Sequence, residues 1–195
     1  MAITTDDVKK LRDDTGVSVM KCKKALEEAE GDMKKALSIL QQKSKDVVKK
    51  KQDRELGAGR VTAYLHNTKT VGVLLELSCE TDFVAKNEEF IDLAYNIAMH
   101  IAAMNPTYGS MEEVPEEDQK EVRQELEKEF SDKPESVKEK AVDGKIRSYF
   151  SERVLMEQPY IKDGEKTVKN LIEEAVQKFG ERVEVTRFTR YQVGE

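Results

Sequence analysis

Cys79-Glu80-Thr81-Asp82-Phe83-Val84-Ala85-Lys86-Asn87 stands where the chain changes its period. Before it, Val71, Val73, Leu75, Leu77 and Cys79 alternate as the inward residues of a half-buried strand do. After it, Phe90, Ala94, Ile97, Ile101 and Met104 recur at helical spacing, with Asn87 placed to cap that helix. The segment is therefore a strand-to-helix turn, and on it an acid and a bulky aromatic, Asp82 and Phe83, stand side by side. Spacing alone favours a plain structural role, in which Thr81 caps a short turn and Phe83 staples it to the core. The alternative is a pair presented outward.

A chain of 195 residues has room for one substantial core and a small satellite domain. Charged residues make up 37% and hydrophobic ones 38%, which fits a soluble helical protein with wide solvated faces. The net charge of -6 argues against a general nucleic-acid binder, and it is unevenly spread. Residues 1–55 carry 14 Lys/Arg against 11 Asp/Glu, whereas residues 112–140 carry 6 against 12. Cys22 and Cys79 are far apart, without metal-ligating neighbours at short spacing, and read as small buried hydrophobes in a reducing compartment. No basic and apolar leader opens the sequence and no run approaches a membrane span, so the expected location is the cytoplasm, away from membranes.

Residues 1–55 predict a three-helix domain and linker. Thr4 or Thr5 caps a first helix with Asp6 and Asp7 in its opening turn and Val8 and Leu11 inward, and Gly16 ends it. Val19, Cys22, Leu26 and Ala29 share one face of a second helix stopped by Gly31; Asp32 caps a third with Met33, Ala36, Leu37 and Leu40. The basic run 43–55 could touch RNA but has no aromatic for base stacking, so a solvated helix extension is the preferred reading. Gly57 and Gly59 mark the domain boundary.

Residues 56–195 predict an α+β core. Val61, Ala63 and Leu65 are the expected inward residues of a strand, with Thr62, Tyr64 and His66 outward, turning at 66–69 into the Val71 strand. The next helix ends before Asn105-Pro106. An αα-hairpin follows over about 115–152, with Pro115 at the first helical position, a thin stripe of Val122, Leu126 and Phe130, a turn at Ser131-Asp132-Lys133-Pro134, and a returning stripe of Val137, Ala141, Ile146, Tyr149, Phe150 and Val154. Gly164 marks a turn. Thr167 caps an amphipathic helix along Val168, Leu171, Ile172, Ala175, Val176 and Phe179, with Gly180 past its end. A closing strand from Val183 completes a small antiparallel three-stranded sheet packed by helices; its apolar phase shifts between Val185 and Phe188, through a bulge or a strand covered on both faces.

Catalysis is not expected. There is no Gly-rich phosphate loop, no nucleophile–His set at credible spacing, no C-x-x-C and no H-E-x-x-H. His66 reads as a surface residue and His100 as a satisfied core or interface histidine. No metal or cofactor is called for, and binding is the better expectation.

Thr81-Asp82-Phe83-Val84-Ala85-Lys86-Asn87, following a strand, resembles the signature of the elongation factor Ts family, guanine-nucleotide exchange factors for the GTPase elongation factor Tu. A second match lies far away: Leu11-Arg12, Thr15-Gly16, Cys22-Lys23-Lys24-Ala25-Leu26, Glu28-Ala29 and Gly31-Asp32 are similar to the family's N-terminal ubiquitin-associated-like domain. Leu155 to Tyr160 resembles the family's extended segment after the helices. The resemblance implies that Lys9, Arg12, Val19 and Met20 engage the GTPase domain while Thr81, Asp82, Phe83 and Val84 act near its magnesium site. Where the family usually has Gly-Met-Met-Asp, this chain has Ser18-Val19-Met20-Lys21, a departure that touches the Val19 contact and not the fold. Longer members carry two related core halves and this chain has length for one, which implies a homodimer. Two other functions fit the residues: an adaptor that binds proteins through the three-helix module and the hairpin, and RNA binding through residues 43–55.

Overall fold

The computed structural model describes residues 3–130 and 135–194. In chain order these form α1 (Thr5–Thr15), α2 (Val19–Glu28), α3 (Met33–Lys51), β1 (Ala58–Leu65), β2 (Val71–Cys79), α4 (Asp82–Ala85), α5 (Glu88–Met104), α6 (Glu116–Glu129), α7 (Glu135–Ser151), β3 (Pro159–Tyr160), β4 (Asp163–Thr167), α8 (Val168–Phe179) and β5 (Val183–Gln192). The fold is α+β, with an antiparallel sheet in the order β1-β2-β5. The chain divides into two compact units, one of residues 1–61, 76–94 and 170–186, the other of 62–75, 95–169 and 187–195.

In the first unit, α1 to α3 enclose their own cluster of Val8, Leu11, Val17, Cys22, Ala25, Leu26, Ala29, Ala36 and Leu40. The helix ends follow from local chemistry. Thr4 and Asp7 form a reciprocal capping box at α1, and Gly16 closes that helix at φ 65°, where a side chain would be strained. Asp32 accepts the N–H groups of Lys34 and Lys35 to open α3. The end of α2 departs from expectation: Glu30, not Gly31, takes the first left-handed position (φ 54°), and Gly31 N–H reaches back to the Leu26 carbonyl in a Schellman arrangement. A second departure is Val19. It is 49% exposed rather than part of the inward face, and Val17, just before the helix, is buried instead. Gly59 is needed for close approach, since a Cβ there would lie 2.6 Å from the Leu77 carbonyl oxygen.

Strand β1 reverses the expected phase. Val61 and Leu65 are exposed and Ala63 with them, while Thr62 is buried and Tyr64 half-buried. Alternation fixes the period of a strand but not which face turns inward. His66 shares the phase of Tyr64, is half-buried, and meets the Tyr64 hydroxyl at 3.2 Å. Strand β2 keeps its expected phase, with Val73, Leu75, Leu77 and Cys79 all buried. In β5 the buried positions are Val183 and Val185, then the half-buried Phe188 and Arg190, so the phase does shift where the sequence shows it.

In the second unit, α5 ends at Met104 with Asn105 at φ 47° before the proline. Pro115 sits at the N-cap of α6, one place earlier than expected, and α6 buries no residue, in keeping with its thin stripe. Among the described side chains of α7, Val142 and Phe150 are buried; Ala141 is only half-buried, and Tyr149 lies outward under the Arg153 guanidinium, 3.8 Å from the ring centroid. The turn 131–134 and the Val137 side chain lie outside the described residues. Phe150 joins Val114 and Val154 in a second cluster. Strands β3 and β4 form a two-stranded antiparallel ribbon that was not expected, and Gly164 lies within β4 rather than in the turn before it. His100 is fully buried: its Nε2 meets Gln158 Oε1 at 2.9 Å, Ile161 N–H points at Nδ1, and burial pushes its pKa down.

Candidate partner-binding site

The turn after β2 is a single helical turn, α4, with one inward side chain, Ala85. Phe83 points away from the protein and is 84% exposed, so it is not the staple of the plain structural reading. Nor does Thr81 cap the turn, although it occupies the N-cap position with extended backbone. Its hydroxyl donates to Glu181 Oε1 at 2.6 Å, and its N–H donates to Glu181 Oε2 at 2.9 Å. Asp82 pairs with Lys86 one turn on, at 2.6 Å, and that ammonium holds the Asp82 carboxyl below its usual range. Asn87 caps α5 by accepting Glu89 N–H, as its position suggested.

Glu80 fastens the other side of the turn. Its Oε1 accepts Arg182 N–H at 2.6 Å and its Oε2 accepts the Arg54 guanidinium at 2.8 Å, with Lys51 Nζ at 3.6 Å. Burial alone would raise the Glu80 carboxyl, but these donors outweigh it and hold the group below the ordinary carboxylate value. The Arg182 side chain donates to the Arg54 carbonyl, and Lys51 reaches the Gly180 carbonyl as well. The charged end of α3 is thus tied to both chain segments that meet at this turn. Cys79 lies beneath, its thiol donating to the Thr81 carbonyl at 3.1 Å. Burial first, and then the nearby Glu181 charge, push that thiol's pKa up, so it is a poor nucleophile.

Sequence reasoning placed Thr81, Asp82, Phe83 and Val84 on this turn and missed Glu80, Glu181 and Arg182, which hold it. The available signal was weak: Glu181-Arg182 immediately precedes the strand that neighbours β2, and nothing in its spacing distinguishes it from the chain's many other acid–base neighbours. The second group, Lys9, Arg12, Val19 and Met20, is exposed on α1 and α2 and belongs to the same unit as the turn, with Met20 64% exposed. Arg12 borders a cleft of about 640 Å³ between the end of α1, the start of α5 and α8, crossed by a 2.6 Å pair of Lys178 with Glu89. Among the described residues no three His, Cys, Asp or Glu side chains gather as a metal set, and no helix is long and apolar enough to cross a membrane.

The sequence profile of the family described as Elongation factor TS matches residues 18–195. The chain belongs to the elongation factor Ts family. It is 49% identical over 195 residues to elongation factor Ts of Thermotoga neapolitana, covering all of this chain and 99% of that one. It is 51% identical to elongation factor Ts of Pseudothermotoga lettingae over the whole of both, and 50% identical to that of Thermodesulfovibrio yellowstonii over all of this chain and 98% of its relative. As a member of the elongation factor Ts family, the chain is a translation elongation factor, a protein of protein biosynthesis.

Proposed function

We propose that this chain is a guanine-nucleotide exchange factor that binds elongation factor Tu loaded with GDP and promotes GDP release. The observation that carries the reading is Phe83, 84% exposed on a turn whose backbone and carboxylates are bonded on both sides. Burying a phenyl ring in a partner pocket contributes about 2 kcal/mol, and aromatics are over-represented as interface anchors. Magnesium tolerates little departure from octahedral geometry and links the nucleotide phosphates to the GTPase, so a small displacement of the loops that hold it weakens GDP.

The factor needs no covalent chemistry, metal or cofactor of its own, and is not an enzyme in that sense. It binds the nucleotide-free GTPase more tightly than the loaded one, and linkage then lowers nucleotide affinity by the same factor. In this reading residues 1–55 dock through Lys9, Arg12, Val19 and Met20, residues 56–195 present Thr81, Asp82, Phe83 and Val84, and the protein works in the cytoplasm. The test is release of fluorescent GDP from elongation factor Tu. Phe83→Ala slows the catalysed step at least tenfold, in line with about 2 kcal/mol of lost burial, while release at the wild-type rate overturns the assignment.

The same reading includes a homodimer. Leu65, Leu74, Tyr191 and Val193, all on or beside the strands in the second unit, are 51–75% exposed, an apolar set that a second copy would cover. Sedimentation at micromolar concentration yields twice the chain mass; a monomer there argues against it.

A further inference from the structure

We propose that Glu181 is the positioning residue that holds Phe83 in its projecting attitude, with Glu80 as its counterpart across the turn. The inference rests on the reading of Phe83 as the group that enters the partner. A helix of one turn has almost no stability of its own, because nucleation fixes several residues for one hydrogen bond. Helix α4 has four residues and buries only Ala85, so neither intrinsic helicity nor packing sets the direction of the ring. A threonine at the N-cap ordinarily spends its hydroxyl on the first turn. Here that hydroxyl and the Thr81 N–H both go to one carboxylate, Glu181, at 2.6 and 2.9 Å.

The arrangement is reciprocal. Residues 80–81 and 181–182 lie just beyond the paired ends of β2 and β5, and each pair lends a carboxylate to the other's backbone: Glu181 takes Thr81 N–H, and Glu80 takes Arg182 N–H at 2.6 Å. The two bonds tie the chain just after β2 to the chain just before β5 through side chains. Bonds to an ionised carboxylate are about twice as strong as neutral ones, and two converging on one residue fix its orientation as well as its place. A ring on a loose turn would spend part of its binding free energy on being ordered; a ring on this turn does not.

The experiment uses the full chain and follows GDP release from elongation factor Tu against concentration of the factor, so that maximal rate and half-saturating concentration are read separately. Glu181→Ala lowers the maximal rate about tenfold, the scale of a misplaced contact group, and leaves half-saturation within about twofold because the docking residues are untouched. Glu181→Gln restores part of the loss, since its single amide oxygen can still accept from one of the two Thr81 donors. If Glu181→Ala folds poorly, Glu181→Gln carries the test, with a maximal rate below wild type by a smaller factor and half-saturation unchanged, and a wild-type maximal rate overturning the role. A wild-type maximal rate in Glu181→Ala, or a loss confined to half-saturation, overturns the positioning role. Failure of the unaltered chain to accelerate release is a different result, and overturns the exchange reading itself.

Discussion

Phe83 and Phe90 are seven residues apart in the same unit and meet opposite fates. Phe90 is fully buried, its ring edge-on to Phe179 at 6.0 Å between centroids, whereas Phe83 is 84% exposed. The difference lies in the elements that carry them. Phe90 belongs to a stripe continued by Ala94, Ile97 and Ile101, all buried, so one helix face repeats the demand for burial. Phe83 sits on a single turn that turns only a small alanine inward and is held by carboxylates instead. An aromatic is released from the core when polar bonds, rather than packing, hold the backbone that bears it.

The largest effect expected from this contrast is on stability. Phe90→Ala should cost about 3–5 kcal/mol in urea unfolding, as cavity-forming aromatic truncations do; a cost under 1 kcal/mol would remove Phe90 from the core. Acid tests the buried class a second way. His100 is neutral in the folded protein with its pKa lowered, so the unfolded chain binds more protons near its ordinary value. Stability is then complete above about pH 6.5 and falls toward the lower folded value, by at most about 1.4 kcal/mol per pH unit. His100→Asn should flatten that slope between pH 7.5 and 5.5. Phe83→Ala should shift unfolding by less than about 0.5 kcal/mol, as exposed substitutions do, even though the proposed role of the ring predicts a large loss of exchange. A shift comparable with that of Phe90→Ala would break the contrast. Smallest of all is Lys86→Ala, which removes an exposed pair with Asp82 and should cost no more than about 0.5 kcal/mol, less still at high salt.

Much of the fold was legible because period and punctuation coincide. Thr4, Gly16 and Asp32 bound their helices as read, and Asn87 opens α5. The failures share a cause. Val61, Ala63 and Leu65 have the right alternation but lie outward, and Val19 has helical spacing yet yields its expected burial to Val17, because periodicity reports a face and not what covers it. Tyr149 stays outside because Arg153 covers its ring, a contact that hydrophobic patterning does not register. At the candidate site, the turn could be located from strand and helix signals on either side, but those signals favoured Phe83 as a staple to the core, whereas the ring projects. The clamp could not be located, since Thr81 and Glu181 are separated by a hundred positions and meet only through strand order.

The reciprocal clamp also sets which substitutions its positions tolerate. Two of its donors are main-chain amides, Thr81 N–H and Arg182 N–H, which any amino acid except proline can supply. For those two bonds, side-chain identity matters at the acceptors alone. Drift at residue 182 should therefore spare the amide bond to Glu80 and cost only the side-chain bonds of Arg182 to the Arg54 carbonyl and Glu184; proline should be barred from 81 and 182, and the glutamates at 80 and 181 should resist replacement even by aspartate, whose shorter reach would leave an amide unanswered.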